Sequence, residues 1–207
     1  MMKTVLTRLL TCTAVAMAWQ PICSIADAEV PPSTLPATQP ILEPRNDLPG
    51  LPNFSQVSSG LYRGAQPTAE GFRELRRMGI RTVISLRALH SDRADLEGTG
   101  LRYVRISCNA WHPEDEDVLK FLKLMRDPAN HPVFVHCQHG ADRTGMMVAV
   151  YRIVEQGWTI DEAMAELPRF GFHPIWTQIR AYLVRFDADA MHGQLEAPEA
   201  PRVDTVN

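Results

Sequence analysis

Residues 136–144 read His-Cys-Gln-His-Gly-Ala-Asp-Arg-Thr, and their types and spacing point to phosphate chemistry. Cys137 and Arg143 stand six residues apart with Gly140 between them. A cysteine thiolate is a strong nucleophile, and an arginine fork binds an oxyanion through two parallel hydrogen bonds. Gln138, His139, Gly140, Ala141, Asp142 and Arg143 can turn their backbone N–H groups toward one bound anion, as turns at helix N-termini do. Phosphoryl transfer needs this combination, because its catalysis is mostly positioning and stabilisation of charge on three equatorial oxygens. Thr144 can donate its hydroxyl to the sulfur of Cys137. His136 is expected to order the loop through hydrogen bonds to backbone rather than to move protons.

The neighbouring elements must hold that loop in shape. Pro132 to Val135 is a short β-branched and aromatic run that predicts a buried strand ending at His136. Gly145 to Val154 is almost wholly apolar and predicts a helix buried on most sides. Upstream, the pattern gives a strand over 57–63, a helix over 69–78 with Thr68 as N-cap and Gly79 as C-cap, and strands over 80–86 and 101–107. A helix follows over 115–126. Beyond the loop come a helix over 143–156 ended by Gly157 and another opened by the capping box Thr159-x-x-Glu162. Trp176, Ile179, Leu183 and Phe186 mark one face of a last helix. The expected fold class is α/β, with a central, mostly parallel sheet of four to five strands flanked by helices on both faces.

The stretch His136-Cys137-x-x-Gly140-x-x-Arg143-Thr144 resembles the active-site loop of the cysteine-based protein phosphatases, the tyrosine and dual-specificity superfamily. The resemblance covers roughly residues 54–186. Leu61-Tyr62-Arg63-Gly64-Ala65-Gln66-Pro67 and Thr82-Val83-Ile84-Ser85-Leu86-Arg87 are similar to the small bacterial dual-specificity-like members. It implies a phosphocysteine intermediate formed on Cys137 and hydrolysed by water, with no metal and no cofactor. It also implies a phosphorylated protein or small phosphomonoester as substrate.

The leaving group needs a proton, and a carboxylic acid is the expected donor. Trp111, Pro113 and Asp115 resemble the Trp-Pro-Asp loop of classical tyrosine phosphatases with residues inserted, and Asp115 lies 22 residues before Cys137. The acids from Glu114 to Asp117 also suit the first turn of a helix. Asp142 competes for the role. It resembles the Asp-Arg-Thr ending of myotubularin and Sac-type loops, and it can alternatively brace Arg143 or cap the following helix. Asp142 is slightly favoured over Asp115. Arg87, at a strand end, is the best supporting arginine, whereas His173 is expected to lie outside the pocket.

Both ends differ in character from the middle. Lys3, Arg8, the apolar run Leu9 to Trp19 and Ala26-Asp27-Ala28 read as a signal peptide over 1–28, cleaved near Ala28. Export to the bacterial periplasm or beyond follows, with no stable membrane insertion after cleavage; the alternative is that the segment is kept as an uncleaved membrane anchor. Residues 29–52 hold seven prolines and read as a linker. Residues 53–186 are the expected domain, and 187–207 an acidic, frayed tail. Cleavage would leave Cys108 and Cys137, either as a reversible disulfide or with Cys108 as a plain buried thiol.

Net charge is −3, although residues 57–107 hold nine arginines against five carboxylates. No nucleic-acid partner is expected, and a monomer is. His131, His136 and His139 do not make a zinc set, so no metal is expected. The loop interior has no lysine or arginine before Arg143, which disfavours polyphosphorylated substrates. The leading expectation is a tyrosine or dual-specificity phosphatase-like hydrolase. Its alternatives are a phosphoinositide or inositol phosphate phosphatase and a non-catalytic phosphate-binding module.

Overall fold

The computed structural model describes residues 41–197. The expected signal peptide, the first part of the linker and the last ten residues lie outside that range.

Five strands form one sheet in the order β1-β2-β5-β3-β4. They are β1 (Ser55–Gln56), β2 (Leu61–Gly64), β3 (Thr82–Ser85), β4 (Arg102–Arg105) and β5 (Val133–His136). Only β1 is antiparallel to its neighbour; β2, β5, β3 and β4 run parallel. β5 is central, and both its faces are covered, which explains its continuous apolar run.

Side chains alternate across the strands and so divide the core in two. Tyr62, Val83 and Phe134 face Leu51, Phe54, and Phe72 and Leu75 of α1 (Ala69–Arg77). Leu61, Ile84, Val133 and Val135 face the other layer, made of α2 (Asp115–Arg126), α3 (Asp142–Gln156), α4 (Ile160–Glu166), α5 (Thr177–Val184) and α6 (Ala188–Glu196). Met146, Met147, Val148 and Val150 of α3 are completely buried, so this helix is surrounded by protein. The α/β class, the mostly parallel sheet and helices on both faces agree with the sequence pattern.

The local signals act as their chemistry dictates. Thr68 Oγ1 accepts from Gly71 N at 3.2 Å to cap α1. Thr159 and Glu162 make the reciprocal capping box of α4. Gly157 ends α3 in the left-handed conformation at φ 69°.

Two boundaries are corrected. The linker expected over 29–52 is already docked at its end: Leu51 is buried, Arg45 pairs with Phe54, and Gly50 O accepts from Thr68 N at 3.1 Å. Its prolines concealed one fully buried leucine, Leu51, and two partly buried ones, Leu42 and Leu48, packed against the core. The tail expected to fray from Asp187 is helical to Glu196, with Asp187 Oδ1 capping Ala190 N at 2.9 Å. Met191 of α6 is buried in the larger core layer. One buried side chain and a cap outweigh an acidic composition here.

Candidate active site

β5 delivers Cys137 to the C-terminal edge of the sheet, and α3 begins at Asp142, so residues 137–141 must turn within five positions. Gly140 makes the turn possible. Its φ is +69°, and a Cβ there would stand 2.5 Å from both Ala65 N and Gly64 C. The loop therefore lies against the end of β2, closer than any side chain would permit.

Four anchors fix the loop on that edge. Gln66 N donates to Gln138 O at 3.2 Å, and Asn53 Nδ2 donates to His139 O at 2.9 Å. Arg63 Nη2 donates to Gly140 O at 2.8 Å. Arg143 Nη1 donates to Leu86 O at 3.2 Å, which pins the guanidinium to the end of β3. Arg63 is itself buried, stacked 3.6 Å over the Phe170 ring and 4.0 Å from Glu166, which also pairs with Arg152 at 2.7 Å. Burial lowers the Arg63 guanidinium to about 10, against the raising influence of Glu166 and Cys137, so it stays charged at neutral pH.

Behind Cys137 runs a second polar chain. Arg87 Nη1 donates to Gln66 Oε1 at 2.8 Å, and Gln66 Nε2 donates to Asp92 Oδ1 at 2.9 Å. Asp92 Oδ2 is 3.1 Å from His136 Nε2, and His136 Nδ1 lies 3.2 Å from Cys137 O. His136 thus reaches the loop backbone as expected, and Arg87 supports the site at one remove through Gln66. Burial raises Asp92, but the hydrogen bond and charge of His136, with Gln66 and Ser85, outweigh it and hold the carboxyl down to about 2.

The structure brings Cys137, Gln138, His139, Gly140, Ala141, Asp142, Arg143 and Thr144 into one loop and helix start. Cys137 and Thr144 are buried, and Thr144 Oγ1 has no hydrogen-bond partner among the described residues. Asp115 is not part of that loop; it stands in the first turn of α2. It accepts from Tyr182 Oη at 2.7 Å and lines a pocket with Tyr182, Arg185, Phe186 and Met191. Trp111, in the preceding loop, is exposed and packs edge-on against Trp176 at 4.6 Å. Cys108 and Cys137 are both free thiols. Burial, with Asp117 nearby, pushes the Cys108 thiol up to about 12.

His173 is a correction. The turn between α4 and α5 brings it to Asp142: its backbone N–H donates to Oδ1 at 2.9 Å, and ring Nδ1 lies 2.9 Å from Oδ2. The two histidine rings of His139 and His173 are 5.5 Å apart. The expectation of no metal-capable set considered only His131, His136 and His139. Folding supplies a different one, His139, Asp142 and His173, whose ligand atoms all lie within 4.8 Å of one another. Arg63 and Gln66 belong to a stretch already singled out in the sequence. Asn53, Asp92, Glu166 and His173 carry no comparable local signal.

A parallel sheet with a cysteine–arginine anion loop at its C-terminal edge defines a cysteine-dependent phosphatase fold. The chain belongs to the dual-specificity phosphatase family: residues 51–174 match the family described as DSP-PTPase phosphatase fused to NAD+ kinase. It is 38% identical over 121 residues to the dual specificity protein phosphatase TpbA of Pseudomonas aeruginosa strain UCBPP-PA14, a match covering 58% of this chain and 55% of that protein. It is 32% identical over 124 residues to the inositol diphosphatase DSP3 of Arabidopsis thaliana, covering 55% of this chain and 60% of that one. The match thus spans a little over half of each of these relatives. Among solved structures, P. aeruginosa TpbA in complex with pTyr aligns with TM-score 0.66 and 30% identity, covering 75% of this chain and 97% of that one.

Proposed function

We propose that this chain is a phosphomonoester hydrolase working through a phosphocysteine on Cys137. The observation that carries the reading is the braced loop: Cys137 at its start, Gly140 held by Arg63, and Arg143 pinned to Leu86. Phosphate binds to the loop N–H groups and the Arg143 fork. The Cys137 sulfur attacks phosphorus, the P–O bond to the leaving group breaks, and that oxygen takes a proton. Water then attacks phosphorus, the S–P bond breaks, and thiolate and inorganic phosphate result. Thr144, buried with its hydroxyl uncommitted, stabilises the departing thiolate.

The proton donor is Asp115 in this reading. Asp142 Oδ1 accepts from the His173 backbone N–H and Oδ2 lies 2.9 Å from the His173 ring, so Asp142 ties the loop to the 171–173 turn. Asp115 is exposed and engages Tyr182 through Oδ1. Phosphotyrosine-type side chains are the proposed substrate class. The loop interior offers one arginine and no lysine, enough for a single phosphate, and the similar TpbA structure contains pTyr. The likeness to an inositol diphosphatase gives inositol phosphates as the second reading.

Purified protein is given para-nitrophenyl phosphate, a phosphotyrosine peptide and an inositol pyrophosphate, with Cys137→Ser as control. Phosphate release from the first two that is lost in Cys137→Ser is the expected result. Binding without release would overturn the hydrolase reading, and turnover of the inositol substrate alone would establish the second. Export to the periplasm, from the reading of residues 1–28, remains part of the proposal; fractionation of expressing cells tests it.

A further inference from the structure

We propose that His139, Asp142 and His173 form a binding site for one zinc-class divalent cation on the rim of the phosphate loop. Two segments supply it: the phosphate loop, with exposed His139 and with Asp142 at the start of α3, and the turn before α5, with His173. Their ligand atoms lie within 4.8 Å of one another. Zinc bonds to nitrogen and carboxylate oxygen are about 2.0–2.2 Å long, so a small rotation of the two exposed rings closes the set. Two imidazoles and a carboxylate, with a fourth position left open, suit zinc and its first-row neighbours. Calcium and magnesium demand oxygen.

The supports around these ligands are already in place. Asp142 is buried, and the backbone N–H of His173 fixes its Oδ1, leaving Oδ2 toward the imidazole. Asn53 holds the two sides of the site together. Its Nδ2 donates to His139 O at 2.9 Å and to Phe170 O at 3.0 Å, so one amide sets the spacing of the loop and the turn that carries His173. Asn53 does this from a positive φ of 55°, the one such non-glycine residue in the described chain. Partners that orient ligands in this way are a regular part of metal sites. A filled site places a divalent charge beside the anion loop, two residues from the nucleophile.

The site stands whether or not Cys137 turns over, and its test avoids activity. Metal-free Cys137→Ser protein, which lacks the competing thiolate, is titrated with zinc against a chromophoric chelator and with cobalt under visible absorption. One equivalent of zinc and the intense bands of tetrahedral cobalt are expected. Affinity should fall at least about 10-fold in His173→Ala and in His139→Ala, and by a similar factor in Asn53→Ala. His112→Ala, at an exposed pair elsewhere, should leave it unchanged. Matching thermal melts without metal establish that the variants fold; His139, exposed and with its ring free of hydrogen bonds, is the decisive one. No binding by the Cys137→Ser protein, or full binding in both histidine variants, overturns the proposal.

Discussion

Asp92 Oδ2 and His136 Nε2 lie 3.1 Å apart, both side chains fully buried next to Cys137. A carboxylate at that depth is stabilised by its neighbours or not at all, and Gln66, Ser85 and His90 also approach Asp92. The pair joins the 87–100 loop to β5, two regions that the sequence leaves unrelated.

The pH dependence of stability follows from that pair. The Asp92 carboxyl is held down to about 2 from an ordinary 3.8. A depressed folded-state value means stabilisation that is complete above the ordinary value and is lost as pH falls from there through about 2. Asp92→Asn should cost roughly 2 kcal/mol at neutral pH, with the gap to wild type closing toward pH 2. Urea unfolding at several pH values measures it. A gap that stays constant with pH would contradict this origin.

Gly140→Ala should damage activity more than folding. The new methyl meets backbone at 2.5 Å on the neighbouring β2 edge, so the loop must lift away. A strained φ of +69° adds about 1–3 kcal/mol of cost. We expect a folded protein with a Tm lowered by several degrees and at least about 100-fold lower kcat/KM, the scale expected for a misplaced reacting group.

Asp115→Asn and Asp142→Asn should separate by leaving group. With para-nitrophenyl phosphate, whose phenolate leaves readily, Asp115→Asn should lose little. With a poor alkyl leaving group it should slow by about 10²–10⁴-fold, the usual worth of a general acid. Asp142→Asn should slow both substrates alike, because it loosens the tie between loop and turn. The reversed pattern would move the proton donor to Asp142.

Cys108 should be the quiet thiol. Its value of about 12, set first by burial and then by Asp117, leaves almost no thiolate at neutral pH. Iodoacetamide at pH 7.5 should label Cys108 only after unfolding, as read by mass spectrometry of the digested protein. Rapid labelling of folded Cys137→Ser protein would show an open Cys108.

Met191→Ala tests the last helix. Met191 is 2% exposed and packs in the core layer of α2 to α6. The substitution should cost about 2–5 kcal/mol in thermal or urea unfolding, as buried methionines do. A freely frayed end would show no change.

Elements whose signals are local could be read from the chain alone. The capping box of Thr159 and Glu162, the Thr68 cap, the α2 bounds 115–126 and the apolar run of β5 all rest on residues a few positions apart. The loop from Cys137 to Arg143 was legible too, because Cys137, Gly140 and Arg143 stand within seven positions of one another. Whatever depends on distant partners emerged only on folding. Leu51 and Met191 look like parts of a linker and a tail until each finds a core to enter. Asp92 and His136 are 44 residues apart in sequence, and Asp142 and His173 are 31 apart. Hydrogen-bond and ion-pair partners across such gaps leave no periodicity or spacing. The fold that brings β2, β5 and the turn before α5 to one edge creates those pairs, and with them the bracing of the loop.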